Sequence, residues 1–202
     1  MEFIKAPFLL LIFISTNCFS QGKGEPDITN VTKVTFFNPG VSYEKRIGKF
    51  QSLYVQAFMS TSFAVGFSDA LGSTSSIHFD PGFTLQYRYY YNSVQREAKG
   101  KRTEMNSLNY VSAVLQTVFS NVNISSSYLP EAKDRAVNIL GLAWGFQRNY
   151  KKRFSLDLNL GIGYLFTTAT TTNDAGQHHT RNVGQPTTTS QLNLGFWLNK
   201  RK

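Results

Sequence analysis

A two-residue hydrophobic period, which runs along several long segments, constrains the fold more than any other feature. Over 53–67, apolar side chains occupy nearly every odd position, and smaller or polar side chains occupy most even positions. The segments 79–92 and 154–167 repeat this alternation, and 136–149 and 190–199 follow it less fully. Because successive side chains of a β-strand point to opposite faces, the period predicts strands with one apolar and one polar face.

These segments are longer than the strands of ordinary globular proteins, which usually run about 5 to 6 residues. A tilted strand that crosses a bilayer needs roughly 9 to 11 residues. Strand length therefore favours a barrel that crosses a membrane over a compact sandwich. Six long strands are predicted, at 52–67, 79–92, 108–120, 136–149, 153–169 and 188–199.

The region 28–47 forms either one long bent strand or two short strands. A strong turn signal, Asn38-Pro39-Gly40, divides it, because proline fixes φ and glycine accepts positive φ. Splitting there gives strands at 28–37 and 40–47, and hence an even total of eight, as is usual in bacterial single-chain barrels. The predicted fold is all-β: an eight-stranded antiparallel up-and-down transmembrane β-barrel.

The N-terminus has the features of a secretory signal peptide. Lys5 supplies a positive charge, and the apolar stretch 6–14 follows it. That stretch is too short to span a bilayer as a helix, which needs roughly 20 residues. We therefore predict a signal peptide over 1–20 and one outer-membrane β-barrel domain over 21–202.

Two processing routes are open at this site. Cleavage before Gln21 places Cys18 and Ser20 at the −3 and −1 positions, where small residues are typical. In the alternative, Cys18 is the acylated residue of a lipoprotein, with Asn17 before it. Both routes export the chain. Since Cys18 is the only cysteine, cleavage before Gln21 excludes disulfides and cysteine-based sites from the mature protein.

The predicted connections between strands differ at the two ends of the barrel. The segments 68–78, 120–134 and 170–187 are long and rich in Ser, Thr, Asn, Asp and Gly, as is typical of external loops. The connections at the other end are short, apart from 93–107. Within that segment, 94–101 is predicted to hold a helical turn.

Basic residues gather around the second set of connections and the C-terminus. Fourteen of the 21 lie there: Lys45, Arg46, Lys49, Arg96, Lys99, Lys101, Arg102, Arg148, Lys151, Lys152, Arg153, Lys200, Arg201 and Lys202. If the strands alternate in direction, all fourteen share one rim, which is either a solvated face or a surface for anionic lipid headgroups. The net charge of +9 also invites a nucleic-acid partner. We expect none, because the chain is exported and carries no recognition motif.

Periodicity alone does not decide whether the apolar set faces lipid or the barrel interior. A secreted lipocalin-like carrier would turn it inward around a hydrophobic ligand, and a membrane barrel turns it outward. The polar set mixes charged and amide side chains with glycine, for example at Asp157, Asn159 and Gly161. Such a mixture suits a filled interior and favours the membrane barrel.

Three motifs carry a resemblance to known proteins. They are Val41-Ser42-Tyr43-Glu44-Lys45-Arg46, Tyr87-Arg88-Tyr89-Tyr90-Tyr91-Asn92 and Gly195-Phe196-Trp197-Leu198. The chain resembles small outer-membrane barrels of the OmpA/OmpX type, and more closely the signal-bearing barrels common in Bacteroidota. The resemblance implies location in the cell outer membrane, contact with its lipids and assembly by the barrel-insertion machinery. It implies no shared activity.

Few residues point to chemistry. His178 and His179 are adjacent and have no third ligand at metal-like spacing, so we expect neither a metal nor a cofactor. A lipid-modifying barrel enzyme, such as a lipid A deacylase or palmitoyltransferase, needs Ser, His and a carboxylate near the lipid edge. No Ser and His pair has distinctive spacing. We therefore expect a non-enzymatic protein with a structural, adhesive or partner-binding role through its external loops.

Four charged residues fall on predicted inward faces: Glu44, Arg46, Arg88 and Asp157. They form either a charged constriction in a pore or an ion-pair network that fills a closed lumen. Buried charges must be paired, and eight strands leave an interior that side chains just fill. We therefore predict a lumen ion-pair network.

Overall fold

The computed structural model describes residues 28–68, 72–120, 135–172 and 178–199. The predicted signal peptide over 1–20 and its cleavage site lie outside this part of the chain. The described residues form eight strands: β1 (Val31–Phe37), β2 (Gly40–Arg46), β3 (Gln51–Ser68), β4 (Gly72–Tyr90), β5 (Asn109–Ser120), β6 (Arg135–Asn149), β7 (Phe154–Thr172) and β8 (His178–Trp197). A short helix, α1 (Ser93–Ala98), follows β4.

The strands form a closed antiparallel barrel. Each strand pairs with the next along the chain, and β8 pairs with β1 to close the ring. The predicted all-β, eight-stranded up-and-down barrel is therefore confirmed. The helical turn predicted over 94–101 is present as α1, which begins one residue earlier and ends at Ala98.

The first two strands are separate, as the turn signal indicated. Asn38 adopts a φ of 52° between them, and its main-chain oxygen accepts a hydrogen bond of 2.7 Å from the Thr35 hydroxyl. The main-chain amide of Met59 donates to the oxygen of Pro39 at 2.8 Å, which ties the turn to β3. Strand β1 thus ends, and β2 begins, at this turn.

Two predicted loops were wrong. The segment 68–78 belongs largely to β4, which begins at Gly72, and 170–187 belongs largely to β7 and β8. Both segments are rich in Ser or Thr, and threonine is a good strand former because its Cβ is branched. The third predicted loop, 120–134, lies outside the described residues after Ser120.

The barrel has two different ends. All strands begin or end together where the connections 47–50, 91–108 and 150–153 lie, and we call this the basic end. At the opposite end, which we call the hairpin end, the strands stop at unequal heights. Strands β1 and β2 have seven residues each, whereas β3, β4, β7 and β8 have 18, 19, 19 and 20.

The connection between β4 and β5 helps to close the basic end. The side chain of Asn106 accepts a hydrogen bond from the Thr29 amide and donates one to the Thr29 oxygen, both at 2.8 Å. This pair of bonds fastens the segment before β1 to the connection. Beneath it, a small cluster buries Ile28, Leu108 and two tyrosines.

Trp197 also helps to close this end of the barrel. Its ring is buried, its Nε1 donates to the main-chain oxygen of Tyr150 at 3.0 Å, and the Arg153 guanidinium lies 5.6 Å from the ring centroid. Because Trp197 is the last residue of β8, these contacts fasten the end of β8 to the connection between β6 and β7.

The distribution of side chains is inverted relative to a water-soluble domain. Among the described residues, 27 polar or charged residues are buried but only ten hydrophobic ones. Large apolar side chains line the outer wall instead, and Leu142 and Ile162 are 68% and 73% exposed. The alternating apolar set therefore points outward and the polar set inward.

The wall curves sharply between β6 and β7. A Cβ placed at the inward position of Gly161 would lie 2.1 Å from the main-chain oxygen of Leu142 and 2.7 Å from Cα of Ala143. Only glycine permits this approach. It lets two neighbouring strands bend around the narrow interior of an eight-stranded ring.

Candidate functional site

Arg88 occupies the centre of the interior near the basic end. Its guanidinium carbon lies 3.7 Å from the ring centroid of Tyr54 and 4.3 Å from that of Tyr110, so two aromatic rings contact it. Its Nη1 donates to Asp157 Oδ2 at 2.9 Å and to Gln147 Oε1 at 3.0 Å. The arginine is fully buried and paired with a carboxylate.

Asp157 joins two cations. Besides Arg88, the ammonium group of Lys33 lies 3.4 Å from Asp157 Oδ2. The other carboxylate oxygen, Oδ1, accepts a hydrogen bond of 2.7 Å from the Tyr110 hydroxyl. Gly145 makes room for this tyrosine, because a Cβ there would lie 2.5 Å from Cζ of Tyr110.

Glu44 supplies the second carboxylate. Its Oε1 accepts hydrogen bonds from the hydroxyls of Ser52, at 2.6 Å, and Tyr90. Its Oε2 accepts one from Gln147 Nε2 at 3.3 Å and lies 4.0 Å from Arg88 Nη1. Every oxygen of this buried carboxylate therefore has a donor, as low-dielectric surroundings require.

The four charged groups form one balanced unit, which we call the charge cluster: Lys33, Glu44, Arg88 and Asp157. Two positive and two negative side chains cancel, and each is at most 2% exposed. Such a cluster is not expected to bind an ion of either sign, because every charge already faces its opposite. It fills the barrel near the basic end.

The structure brings together three of the four residues predicted for the lumen network. Arg46 is the exception: it has the inward parity of Glu44 but is the last residue of β2, so its side chain is exposed at the rim. Its Nε donates to the Gly48 oxygen at 3.2 Å. Lys33 stands in the network instead. In the sequence, the alternation of Lys33 with the outward residue Val34 indicated that the lysine points inward.

A second level of the interior contains uncharged amides. Gln56 Oε1 accepts hydrogen bonds from the Tyr54 hydroxyl at 2.9 Å and from Gln191 Nε2 at 2.8 Å. Gln56 Nε2 donates to Asn193 Oδ1 at 3.2 Å. These bonds run from β3 to β8 across the inside of the short strands β1 and β2.

Three buried side chains at this level have polar atoms without a hydrogen-bond partner among the described residues. They are Asn159, at both amide atoms, and Ser42 and Thr84, at their hydroxyls. Thr84 stands opposite Gln56 in the ladder between β3 and β4, and Asn159 stands opposite Gln191 in the ladder between β7 and β8. We call this level the amide layer: Gln56, Thr84, Asn159, Gln191 and Asn193.

The basic end carries the cations that the sequence placed on one rim. Eleven of the fourteen lie there among the described residues, and Lys200, Arg201 and Lys202 fall outside them. Some have structural partners: Arg102 pairs with Glu104 at 2.7 Å, and Arg148 Nη2 donates to Asn109 Oδ1 at 2.6 Å. Together with exposed cations such as Lys45, Lys99, Lys101 and Lys152, they make this end strongly positive.

The histidine pair lies in β8, where the backbones of His178 and His179 are paired with Thr172 and Thr171. Over the residues that the structure describes, no group of three His, Cys, Asp or Glu side chains could hold a metal ion. In the same part of the chain, no helix is long and apolar enough to cross a membrane.

No protein-family model matches the chain, and no curated protein or solved structure is similar to it at a significant level.

Proposed function

We propose that this chain is an integral outer-membrane β-barrel protein of the OmpA/OmpX type, with a structural, adhesive or partner-binding role at its hairpin end. The observation that carries the proposal is the apolar outer wall around a polar, charge-balanced interior. Monomeric soluble proteins rarely expose contiguous apolar patches larger than a few hundred Å². An outer wall facing lipid removes that surface from water.

Aromatic side chains on the outer wall support this placement. Near the basic end, Tyr89 and Tyr91 are exposed, and Trp144 Nε1 donates to the Tyr91 hydroxyl at 2.7 Å. Higher on the wall, Tyr164 and Phe166 are also exposed. Two levels of amphipathic rings are typical of the girdles at the two interfaces of a membrane barrel.

The two ends suggest an orientation. Bacterial outer-membrane barrels turn their short connections toward the periplasm and their longer elements outward. We therefore place the basic end in the periplasm, against the inner-leaflet headgroups, and the extended upper parts of the two long hairpins, β3–β4 and β7–β8, outside the cell. The hairpins are then the surface available to an envelope or external partner. Assembly by the barrel-insertion machinery follows from the same proposal.

The charge cluster argues against a conducting pore, since its buried side chains fill the interior near the basic end. It also weighs against a lipocalin-like carrier, whose ligand needs an apolar interior. No specific geometry favours a lipid-modifying enzyme, so we propose a non-enzymatic role.

Fractionation of cells that express the full chain tests the proposal. We expect the protein in the membrane fraction after carbonate extraction, and we expect its electrophoretic mobility to change when the sample is boiled, as for folded barrels. A soluble monomer that binds a hydrophobic ligand would contradict the proposal and support the carrier instead.

A further inference from the structure

The barrel wall has a notch where β1 and β2 are short. Strand β3 pairs with β2 only as far as Phe58, and β8 pairs with β1 only from Leu194 onward. Beyond these points β3 continues to Ser68, and β8 begins as early as His178. Over the described ranges, no ladder joins β3 to β8. We call this gap the wall notch: it lies between 60–68 of β3 and 178–191 of β8.

The floor of the wall notch is the turn between β1 and β2. There the side-chain amide of Asn38 donates to the Leu192 oxygen at 3.3 Å, so the Leu192 backbone faces the notch. Even-numbered residues further up this edge face the same way, because strand backbones alternate. Among them is Pro186, which has no N–H to offer a partner strand. A proline at this edge therefore interrupts any hydrogen-bonded ladder that another strand could form with β8.

Along the barrel axis, the wall notch lies at the same level as part of the apolar outer wall. On β7, the outward-facing apolar row runs from Phe154 to Phe166, and Phe166 stands opposite Gly184 of β8. Gly184 lies on the notch edge, well above the floor at Leu192. In hydrocarbon, unpaired backbone groups are too costly to leave without hydrogen bonds. The unpaired backbone groups along these two strand edges therefore need a polar hydrogen-bond partner within the membrane.

The amide layer lies directly behind the floor of the wall notch. Gln56 and Gln191, which bond to each other at 2.8 Å, belong to the two strands that border the notch. One strand further round the ring on each side, the buried side chains of Thr84 and Asn159 have no partner in the described structure. Buried polar groups in this state are normally satisfied by water or by a ligand.

The chemistry of these groups restricts the ligand. The charge cluster is balanced internally, so it offers no free charge to an ionic headgroup. Amide side chains and strand edges each present both donors and acceptors, which hydroxyl groups match because they donate and accept. The wall beside the notch is apolar, as an alkyl chain requires.

We propose that the wall notch is a lateral opening that binds an amphiphile with a neutral polyhydroxyl headgroup, which contacts the amide layer while its alkyl chain stays in the bilayer. This inference rests on the proposed membrane location. It names the class of molecule that such a barrel accepts from the lipid phase.

Photolabelling tests the inference. The full chain is reconstituted into vesicles of phosphatidylethanolamine and phosphatidylglycerol and floated on a density gradient. The floated protein then receives a trace of alkyl glucoside with a diazirine beside its headgroup, or the matched alkyl phosphocholine. We expect the glucoside to label peptides of β3 and β8 in preference to the phosphocholine, and unlabelled alkyl glucoside to compete.

Two variants make the test specific. Asn159→Leu should lower the labelling about tenfold, the loss expected from one or two hydrogen bonds. It removes no bond made within the described structure, so the barrel should still fold and float. Asn138→Leu is the matched control on β6, at an outward position where Asn138 Oδ1 accepts from Thr117, and it should label like the native chain.

The outcomes separate the two proposals. Equal labelling by both probes, labelling spread over the outer wall, or full labelling of Asn159→Leu would overturn the lateral site and leave the membrane barrel standing. A protein that does not float with the vesicles would overturn both.

Discussion

At the scale of single residues, the stability of the interior depends on buried charges that neutralise one another. Arg88 has aromatic rings on its faces and a carboxylate at its edge, and Asp157 is shared with Lys33. A buried ion pair adds little net stability compared with a well-packed apolar pair, but removing one member leaves the other uncompensated. Each member of the charge cluster therefore matters more to stability than its own contacts suggest.

Asp157→Leu should destabilise the barrel strongly. It leaves two buried cations with one carboxylate, and losses of about 3 to 5 kcal/mol are typical of such changes. The measurement is the temperature at which the folded band disappears in detergent. Glu97→Leu on the exposed helix α1 serves as the control and should change that temperature little. An unchanged melting temperature in Asp157→Leu would mean that the cluster does not stabilise the fold.

Side-chain parity anticipates much of this site. Arg88 and Asp157 each lie between outward tyrosines or leucines, and Glu44 follows the outward Tyr43, which is enough to place them inside. Parity does not report where a strand ends, so it misplaces Arg46, which extends past the rim. It also gives no cross-barrel distances. The Gln56–Gln191 bond joins residues far apart in sequence, and only the closed ring brings them together.

At the scale of elements, the strands were predictable wherever one face is apolar and the other polar. The upper parts of β4, β7 and β8 were missed because they lack that contrast: 72–76, 170–172 and 178–182 are polar or small on both faces. Hydrophobic period detects a strand only when its two faces meet different surroundings. A strand that continues beyond the apolar wall loses the signal although its ladder persists.

Closure of the ring should be sensitive to Gly195. The ladder between β1 and β8 has four pairs and a bulge, and a Cβ at Gly195 would lie 2.0 Å from the main-chain oxygen of Val34. We expect Gly195→Val to abolish the folded, heat-modifiable band, since a backbone atom cannot move aside.

The matched control for this closure is Gly184→Val. A Cβ at Gly184 meets only the tip of the Tyr164 side chain, which can rotate away. This variant should keep the folded band. If Gly195→Val folded equally well, the backbones of β1 and β8 would have to approach each other less closely than the geometry indicates.

At the scale of the whole molecule, charge and length separate the two ends. The basic end carries the exposed lysines and arginines, and the hairpin end carries the extended strands. If the protein lies in the outer membrane as proposed, the two ends face different compartments.

Single cysteines can report this orientation. Lys151→Cys, at the basic end, should react with a membrane-impermeant maleimide only after the outer membrane has been permeabilised. Arg181→Cys, exposed on the part of β8 that continues beyond the level of Phe166, should react on intact cells. The reverse pattern would contradict the proposed orientation, and reaction of both in intact cells would contradict insertion.

The two tryptophans of the chain lie in different surroundings, one on the outer wall and one buried where β8 meets β1. Trp144 projects from the outer wall beside Tyr91, so its emission responds to the medium around the barrel. Trp197 is buried where β8 pairs with β1, and its indole N–H donates to the main-chain oxygen of Tyr150. The protein thus contains two intrinsic fluorophores, one for insertion and one for closure, and time-resolved emission can follow the order of these two events without an added dye.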